Sequence, residues 1–135
     1  MTPAPPPPVG CGPQPPLAAR SLLTPIQAGG LAAVFKVLAN DTRLRLLHAL
    51  VRAGELGVTD LAAAVGMKPQ AVSNQLQRLL DLGVLAARRD GTSVRYRVVD
   101  RCVAGLLEQG WCLVDEAGAR DGVTGRAAAC CGGAE

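Results

Sequence analysis

The strongest hydrophobic pattern in the chain lies in the segment KPQAVSNQLQRLL, residues 68–80. Val72, Leu76, Leu79 and Leu80 recur at the spacing of one helical face, which predicts an amphipathic helix with that stripe buried. The opposite face carries amides, a hydroxyl and cations but no acid, whereas ordinary solvated faces are rich in Glu and Lys. This composition predicts a binding surface. Its members are Lys68, Gln70, Ser73, Asn74, Gln77 and Arg78.

Helical patterns also precede this segment, and residues that favour helix ends mark their boundaries. The predicted boundaries are a start at Thr24-Pro25 for the first helix, a start at Asn40 or Asp41 and an end near Gly54 for the second, and Thr59 to Gly66 for the third. The predicted apolar stripe of the second helix is Leu44, Leu47, Leu50 and Val51.

After Gly83 the period of the pattern changes from 3.6 residues to two. The segment VLAARRDGTSVRYRVV contains two β-prone runs around Asp90-Gly91, a dipeptide that strongly favours a hairpin turn. A last helix is predicted from about Asp100 to Ala117. The hairpin carries four arginines, which are Arg88, Arg89, Arg95 and Arg97.

This order of elements predicts a mainly α fold with a small β-hairpin. A short helix, a tight turn and a polar-faced helix form a helix-turn-helix, and the hairpin that follows makes the unit winged. We expect residues 1–20 to be a disordered Pro/Gly-rich leader, 21–120 a DNA-binding and dimerisation domain, and 121–135 a flexible tail containing cysteines. We also expect a dimer with the first and last helices at its interface. The interface residues would be Leu31, Phe35, Leu106, Leu107 and Val114.

The distribution of charge points to a polyanionic partner. Residues 68–101 hold seven cations against three acids, while residues 102–135 hold two cations against five acids. In the major groove, Gln and Asn suit adenine and Lys and Arg suit guanine, while hairpin arginines can hold phosphates or enter the minor groove. The predicted partner of the polar helix face and the hairpin is therefore double-stranded operator DNA.

No apolar run approaches the roughly 18 residues of a membrane span, and the N-terminal MTPAPPPPVGCGPQPP lacks the pattern of a secretion signal. We therefore expect a cytoplasmic protein with no membrane partner. In a reducing compartment, five cysteines are expected to be thiols, metal ligands or redox sensors rather than a disulfide framework.

Several ordered blocks resemble the ArsR/SmtB family of winged-helix metalloregulators. They are LANDTRLRLL, GELGVTDLA, QAVSNQLQRLLDLGVL and RRDGTSVRYRV, within about residues 31–120. The resemblance implies a dimeric repressor of a metal-resistance or metal-homeostasis operon that metal binding releases from DNA. It also supports contacts of the polar helix face and the hairpin with DNA.

The resemblance further indicates where a metal could bind. Arsenic sensors of this family begin the third helix with a motif like ELCVCDL, but here ELGVTDL has Gly57 and Thr59 in place of both cysteines. Another family site lies on the last helix, which begins Asp-x-His and carries a second His later. Asp100 matches this motif, Cys102 occupies the first His position, and Cys112 falls one residue short of the second.

The geometry of a single helix excludes ligation by both of these cysteines of one chain. Ten residues of helix place Cys102 and Cys112 roughly 15 Å apart, whereas two sulfurs on one metal lie within about 5 Å. Two antiparallel copies crossing near Leu107 would bring Cys102 of one chain beside Cys112 of the other. We therefore predict a site across the dimer axis. The further candidate thiolates, from the two tails, are Cys11, Cys130 and Cys131.

Thiolate-rich ligation without imidazole selects soft ions, so the candidate effectors are Hg(II), As(III), Cd(II) and Pb(II). Hg(II) is favoured, because two or three thiolates satisfy it and the arsenic motif is missing. The vicinal Cys130-Cys131 pair would also suit As(III). The preferred function is thus a repressor of a mercuric resistance operon.

The alternatives to a metal sensor are a regulator that does not bind metal and an enzyme. A winged-helix regulator could sense thiol oxidation or another non-metal signal, and Cys102 or Cys112 could be small core residues. An enzyme is excluded, because the chain has no Ser-His-Asp order and no phosphate-binding glycine loop. Its single histidine, His48, is interpreted as structural.

Overall fold

The computed structural model describes the backbone of residues 15–121 and the side chains of residues 15–115. This part of the chain contains five α-helices and a three-stranded antiparallel sheet, which confirms the predicted mainly α fold with a small hairpin. The helices are α1 Pro25–Leu38, α2 Asp41–Ala53, α3 Val58–Val65, α4 Pro69–Leu82 and α5 Arg101–Asp121. The strands are β1 Leu56–Gly57, β2 Leu85–Asp90 and β3 Ser93–Val98.

Capping side chains determine where the first two helices begin. The Thr24 hydroxyl accepts a hydrogen bond from the backbone N–H of Gln27, whose side chain accepts one from the backbone N–H of Thr24. This reciprocal pair is a capping box. Asn40 caps α2 by accepting a hydrogen bond from the backbone N–H of Arg43 at 3.0 Å. Both predicted helix starts are confirmed.

The predicted N-cap of the third helix, Thr59, is wrong. α3 begins at Val58, directly after Gly57. The cause is β1, which the sequence pattern did not predict: it pairs with β3 and places Gly57 opposite Arg95. The extended backbone ends at Gly57, so the helix begins at the next residue and Thr59 lies inside its first turn.

The hydrophobic core lies between α2, α3 and α4, with β2 and α5 at its edges. In α2 the predicted stripe is partly wrong, because Leu46 is completely buried whereas Leu44 and Val51 are partly exposed. The fully buried side chains are Leu46, Leu47, Leu50, Leu61, Val72, Leu76 and Leu79.

Strands β2 and β3 form the predicted wing in a sheet of order β1-β3-β2. Asp90 pairs with Ser93, so the turn residues are Gly91 and Thr92, one position later than the predicted Asp90-Gly91. Gly91 has φ of +65°, a conformation that favours glycine.

Large apolar side chains lie on the outer surface of α1 and α5. Four of the five predicted dimer-interface residues are exposed in the single chain, and the fifth, Leu107, packs against the core. Trp111 of α5 is also exposed. An exposed apolar surface is a candidate for contact with another chain. The exposed predicted residues are Leu31, Phe35, Leu106 and Val114.

A 3₁₀ turn at Leu17–Ala19 gives local structure to the end of the predicted leader. The remainder of the leader and the predicted tail, with Cys11, Cys130 and Cys131, lie outside the described residues. No helix in the described part of the chain is long and apolar enough to cross a membrane.

Candidate DNA interface and effector helix

Helix α4 presents the polar face that the sequence predicts. Its opposite side is held in the core by Val72, Leu76 and Leu79, all three completely buried, while Leu80 is half-buried. Burial of this stripe fixes the rotation of the helix and directs its polar residues outward. Of these, Ser73 is half-buried. The exposed members of the face are Lys68, Gln70, Asn74, Gln77 and Arg78.

Two side-chain hydrogen bonds order the polar face along the helix. Gln70 Nε2 donates to Asn74 Oδ1 at 3.3 Å, and Gln77 Nε2 donates to Asp81 Oδ1 at 2.9 Å. Both pairs are spaced i, i+4, the separation at which helical side chains meet. Because they are exposed, these amides can exchange their bonds for base edges without leaving a buried polar group unsatisfied.

Arg43, on α2, links α1 and α4. Its Nε donates to Gln75 Oε1 at 2.7 Å, and its Nη1 donates to the carbonyl of Val37 at 2.8 Å. The second bond satisfies one of the last carbonyls of α1, which have no partner within that helix. The arginine therefore links the end of α1 to the middle of α4.

We expect Arg43→Met to lower the free energy of unfolding by about 1–3 kcal/mol, because two part-buried acceptors lose their donor. Chemical denaturation measures the change. Arg52→Met, which removes an arginine from the exposed end of α2, is the control and should change stability by less than about 0.5 kcal/mol. Equal stability of Arg43→Met and Arg52→Met would contradict the proposal that Arg43 stabilises the fold by linking α1 to α4.

The strand register divides the four wing arginines between two faces. Arg88 lies opposite Arg95 and Ala86 opposite Arg97, so three arginines share one face of the hairpin. Arg89 pairs with Val94 and lies on the other face. The sequence predicted the four arginines but not this division.

Glu55, between α2 and β1, binds two of these arginines. Arg88 Nη2 and Nε lie 2.5 and 3.2 Å from its two carboxylate oxygens, and Arg95 Nε lies 3.4 Å from Oε1. The hydrogen bond from Arg88 holds the pKa of Glu55 below its ordinary value, although burial opposes the shift. The same bond raises the pKa of Arg88. No local sequence pattern identifies Glu55, because only the pairing of β1 with β3 brings it to the wing.

Helix α5 carries both cysteines of the predicted effector site. Asp100 Oδ1 accepts a hydrogen bond from the backbone N–H of Cys102 at 2.8 Å, so this carboxylate caps the start of the helix. Cys102 also lines a cleft of about 600 Å³ between α1 and α5, together with Leu31, Val34 and Leu106.

The two cysteines occupy separate places in the single chain. Cys112 is buried, and Cys102 is half-buried and disulfide-bonded. α5 is continuous from Arg101 to Asp121, so ten residues of helix keep the two positions roughly 15 Å apart. Among the described residues, no group of three His, Cys, Asp or Glu side chains is placed to hold a metal ion.

Comparisons with known proteins agree with this architecture. A family model described as HVO_A0114 matches residues 38–101. Among solved structures, the antimony-specific transcriptional repressor AntR is 61% identical, covering 82% of this chain and 99% of that one, with a TM-score of 0.70. The homodimeric winged helix-turn-helix DNA-binding domain of Mb0332 from Mycobacterium bovis, described as a possible ArsR-family regulator, is 36% identical, covering 75% and 93%, with a TM-score of 0.63.

Curated relatives are transcriptional regulators as well. The regulator NmtR of Mycobacterium tuberculosis is 44% identical over 61% of this chain and 68% of its own length. A probable mercury resistance operon repressor of Streptomyces lividans is 41% identical over 67% of this chain and 72% of its own length. These relatives are repressors and DNA-binding regulators, not enzymes. The winged helix-turn-helix, the resemblance of its sequence blocks and these relatives place the chain in the ArsR/SmtB family of metalloregulatory transcriptional repressors.

Proposed function

We propose that this chain is a homodimeric repressor of a resistance operon, released from operator DNA by Sb(III) bound between Cys102 of one protomer and Cys112 of its partner. The observation that carries the DNA-binding part is the polar face of α4, which has no acid before Asp81 and is held outward by a completely buried stripe on the opposite side. Such a repressor acts where the DNA is, which supports the cytoplasmic location.

The arrangement of α4 supports base contacts from its N-terminal half. A recognition helix enters the major groove with its first residues foremost, which here are Lys68, Gln70, Ser73 and Asn74. The amides suit adenine, and Lys68 suits guanine. The wing follows directly and supplies cations for phosphates on either side of the groove.

The apolar surface of α1 and α5 supports a twofold interface. Leu31 and Phe35 are spaced by one helical turn, and Leu31 lines the cleft between α1 and α5. Burial of this surface against a second copy would remove it from water. A dimer would also hold two recognition helices about 34 Å apart, the separation of successive major grooves on one side of DNA.

The cysteine positions support a thiolate site that only a dimer can close, once the disulfide at Cys102 is reduced. Since one continuous helix separates Cys102 from Cys112 by roughly 15 Å, ligation of one ion by both must join two chains. Asp100, which already caps α5, and the tail cysteines Cys11, Cys130 and Cys131 are further candidate ligands.

The choice of ion is supported by the comparisons. Sequence chemistry favoured Hg(II) over As(III), Cd(II) and Pb(II), but the 61% identical neighbour is described as antimony-specific, whereas the mercury repressor is 41% identical. Sb(III) is a soft ion that thiolates bind, so it fits the same donor set. We therefore rank Sb(III) first and Hg(II) second.

The test begins with selection of DNA from a randomised duplex pool by the reduced protein. We expect an imperfect palindrome with half-sites one helical turn apart. Fluorescence anisotropy then follows release on addition of Sb(III), Hg(II), As(III), Cd(II) or Pb(II), and Sb(III) should act at the lowest concentration. Selection of no common sequence would contradict DNA recognition, and release by another ion first would contradict the assignment of Sb(III).

Asn74→Ala is expected to cost on the order of 1 kcal/mol in operator affinity and to relax specificity at one base pair. Affinities for the selected operator and for operators changed at single positions measure both effects. The wild-type protein should lose affinity when that base pair is changed, and Asn74→Ala should not. Unchanged discrimination at every position would contradict base contact by Asn74.

The disulfide at Cys102 favours one alternative, a repressor that responds to thiol oxidation. Oxidation at this position would change the same α1–α5 region that an ion would occupy. Comparison of peroxide with Sb(III) in the anisotropy assay separates the two functions. Release by peroxide, without release by any ion under reducing conditions, would favour the redox sensor.

A further inference from the structure

Three arginines and one carboxylate form a compact charged group at the base of the wing. Arg88, Arg95 and Arg97 share one face of the hairpin, and Glu55 contacts the first two of them. Two of these contacts form a fork in which Arg88 binds both carboxylate oxygens. Paired geometry of this kind is also how arginine binds a phosphate group.

The strand register explains why Glu55 lies on this face. Gly57 of β1 lies opposite Arg95 of β3, and Glu55 precedes Gly57 by two residues. Side chains two residues apart in extended backbone point to the same side of a sheet. The carboxylate therefore projects to the arginine-bearing side rather than toward the core.

We propose that Glu55 competes with DNA phosphates for Arg88 and Arg95 and thereby limits the affinity of the wing for DNA of any sequence. This proposal rests on the proposed DNA binding. In the unbound protein the carboxylate neutralises about one of the positive charges on this face. A phosphate can gain a guanidinium only by displacing the carboxylate, whereas Arg89 on the opposite face carries no such competitor among its described contacts.

The consequence is a weaker phosphate contribution to the binding of every DNA sequence. Binding to phosphates supplies essentially all of the affinity for non-specific DNA but only part of the affinity for an operator. Because a competitor at the wing costs both complexes the same free energy, it lowers both affinities by the same factor and leaves discrimination to the contacts of α4. The contacts of α4 with bases are unaffected, because Glu55 does not contact that helix in the described hydrogen bonds and ion pairs.

The test is Glu55→Gln, which removes the charge but keeps an amide oxygen able to accept from Arg88. Affinity for a random-sequence duplex should rise about five- to tenfold at 0.1 M salt, and the plot of log K against log salt should steepen by about one unit. The double variant Glu55→Gln/Arg88→Gln should return to the wild-type slope. Anisotropy of labelled duplex over a range of salt concentrations provides both quantities.

Asp41→Asn is the matched control for net charge. Asp41 is exposed at the opposite end of α2, about 18 Å of helix from its last residue, which exceeds the Debye length of about 10 Å at 0.1 M salt. For Asp41→Asn, the slope of log K against log salt should remain that of the wild type. Thermal unfolding and gel filtration verify that each variant retains its fold and assembly.

The outcomes separate this proposal from the function on which it rests. Absence of DNA binding by the wild-type protein would contradict both the proposed function and the competition by Glu55. If the wild type binds DNA but Glu55→Gln has an unchanged salt slope, only the proposed competition of Glu55 with phosphates is contradicted. Weaker binding by Glu55→Gln would also overturn it and would assign Glu55 to positioning the wing arginines for DNA.

Discussion

A Phe35→Asp variant is expected to elute as a monomer and to bind the operator about 10²- to 10⁴-fold more weakly than the wild type. Phe35 is 47% exposed on α1 and belongs to the apolar surface that we assign to the twofold interface. In a dimer, the second recognition helix binds at a high effective concentration once the first is bound, and a monomer loses this gain. Analytical ultracentrifugation and anisotropy measure the two effects.

Val51→Asp is the control for Phe35→Asp. Val51 is 44% exposed, so the substitution adds the same charge at a similarly accessible apolar position, but on α2. This variant should remain dimeric and should bind DNA nearly as well as the wild type. The Phe35→Asp monomer should keep its helical circular dichroism, because the core leucines are buried within one chain. A dimeric Phe35→Asp protein with normal affinity would refute the proposed interface.

Cys102→Ser and Cys112→Ser are each expected to keep operator binding and to lose release by Sb(III). An effector acts through its different affinity for two shapes of the protein, and couplings of about 1–3 kcal/mol, or 5- to 150-fold, are usual. Loss of one thiolate should abolish most of this coupling. Anisotropy titrations of the protein–operator complex under reducing conditions measure it, with the double variant Cys130→Ser/Cys131→Ser as a comparison.

Mixing the two single variants tests whether the site joins two chains. In the heterodimer, Cys102 survives on one protomer and Cys112 on the other, so one of the two sites is intact. Partial release by Sb(III) should therefore return in the mixture. Normal release by both single variants, combined with loss of release in Cys130→Ser/Cys131→Ser, would move the site to the tail and refute the assignment to α5.

Local signals were sufficient for much of this fold. The stripe of α4 is confirmed because Val72, Leu76 and Leu79 leave only one helical face to bury. The starts of α1 and α2 are confirmed because Thr24 and Asn40 cap their own helices, so no distant residue is needed. These features depend on residues close together in sequence.

Other features depend on contacts between distant segments. β1 has only two residues and no alternation of its own, so it exists through its pairing with β3. Because of this pairing, the N-cap of α3 is Gly57 rather than the predicted Thr59, and Glu55 lies beside the wing. In α2, closely spaced leucines allow two overlapping stripes, and only packing selects Leu46 over Leu44.

The two candidate sites also differ in whether local sequence is enough to identify them. The polar face of α4 could be identified from spacing alone, because the residues that would contact DNA share one helix. Pairing of Cys102 with Cys112 is a property of an assembly, and no local pattern specifies which residue of a second copy lies beside each sulfur. That assignment remains a prediction until the mixed dimer is measured.

The exposed Trp111 of α5 makes the intrinsic fluorescence of this chain sensitive to the region around Cys112. It is the single tryptophan in the sequence and is the immediate neighbour of Cys112. Heavy atoms quench the emission of indole, and burial of an indole in an apolar interface shifts its emission to shorter wavelength. Intrinsic fluorescence of the unlabelled protein therefore offers a test of both proposals: a fall in intensity would report a heavy ion at Cys112, and a shift to shorter wavelength would report burial of Trp111 on association of two chains.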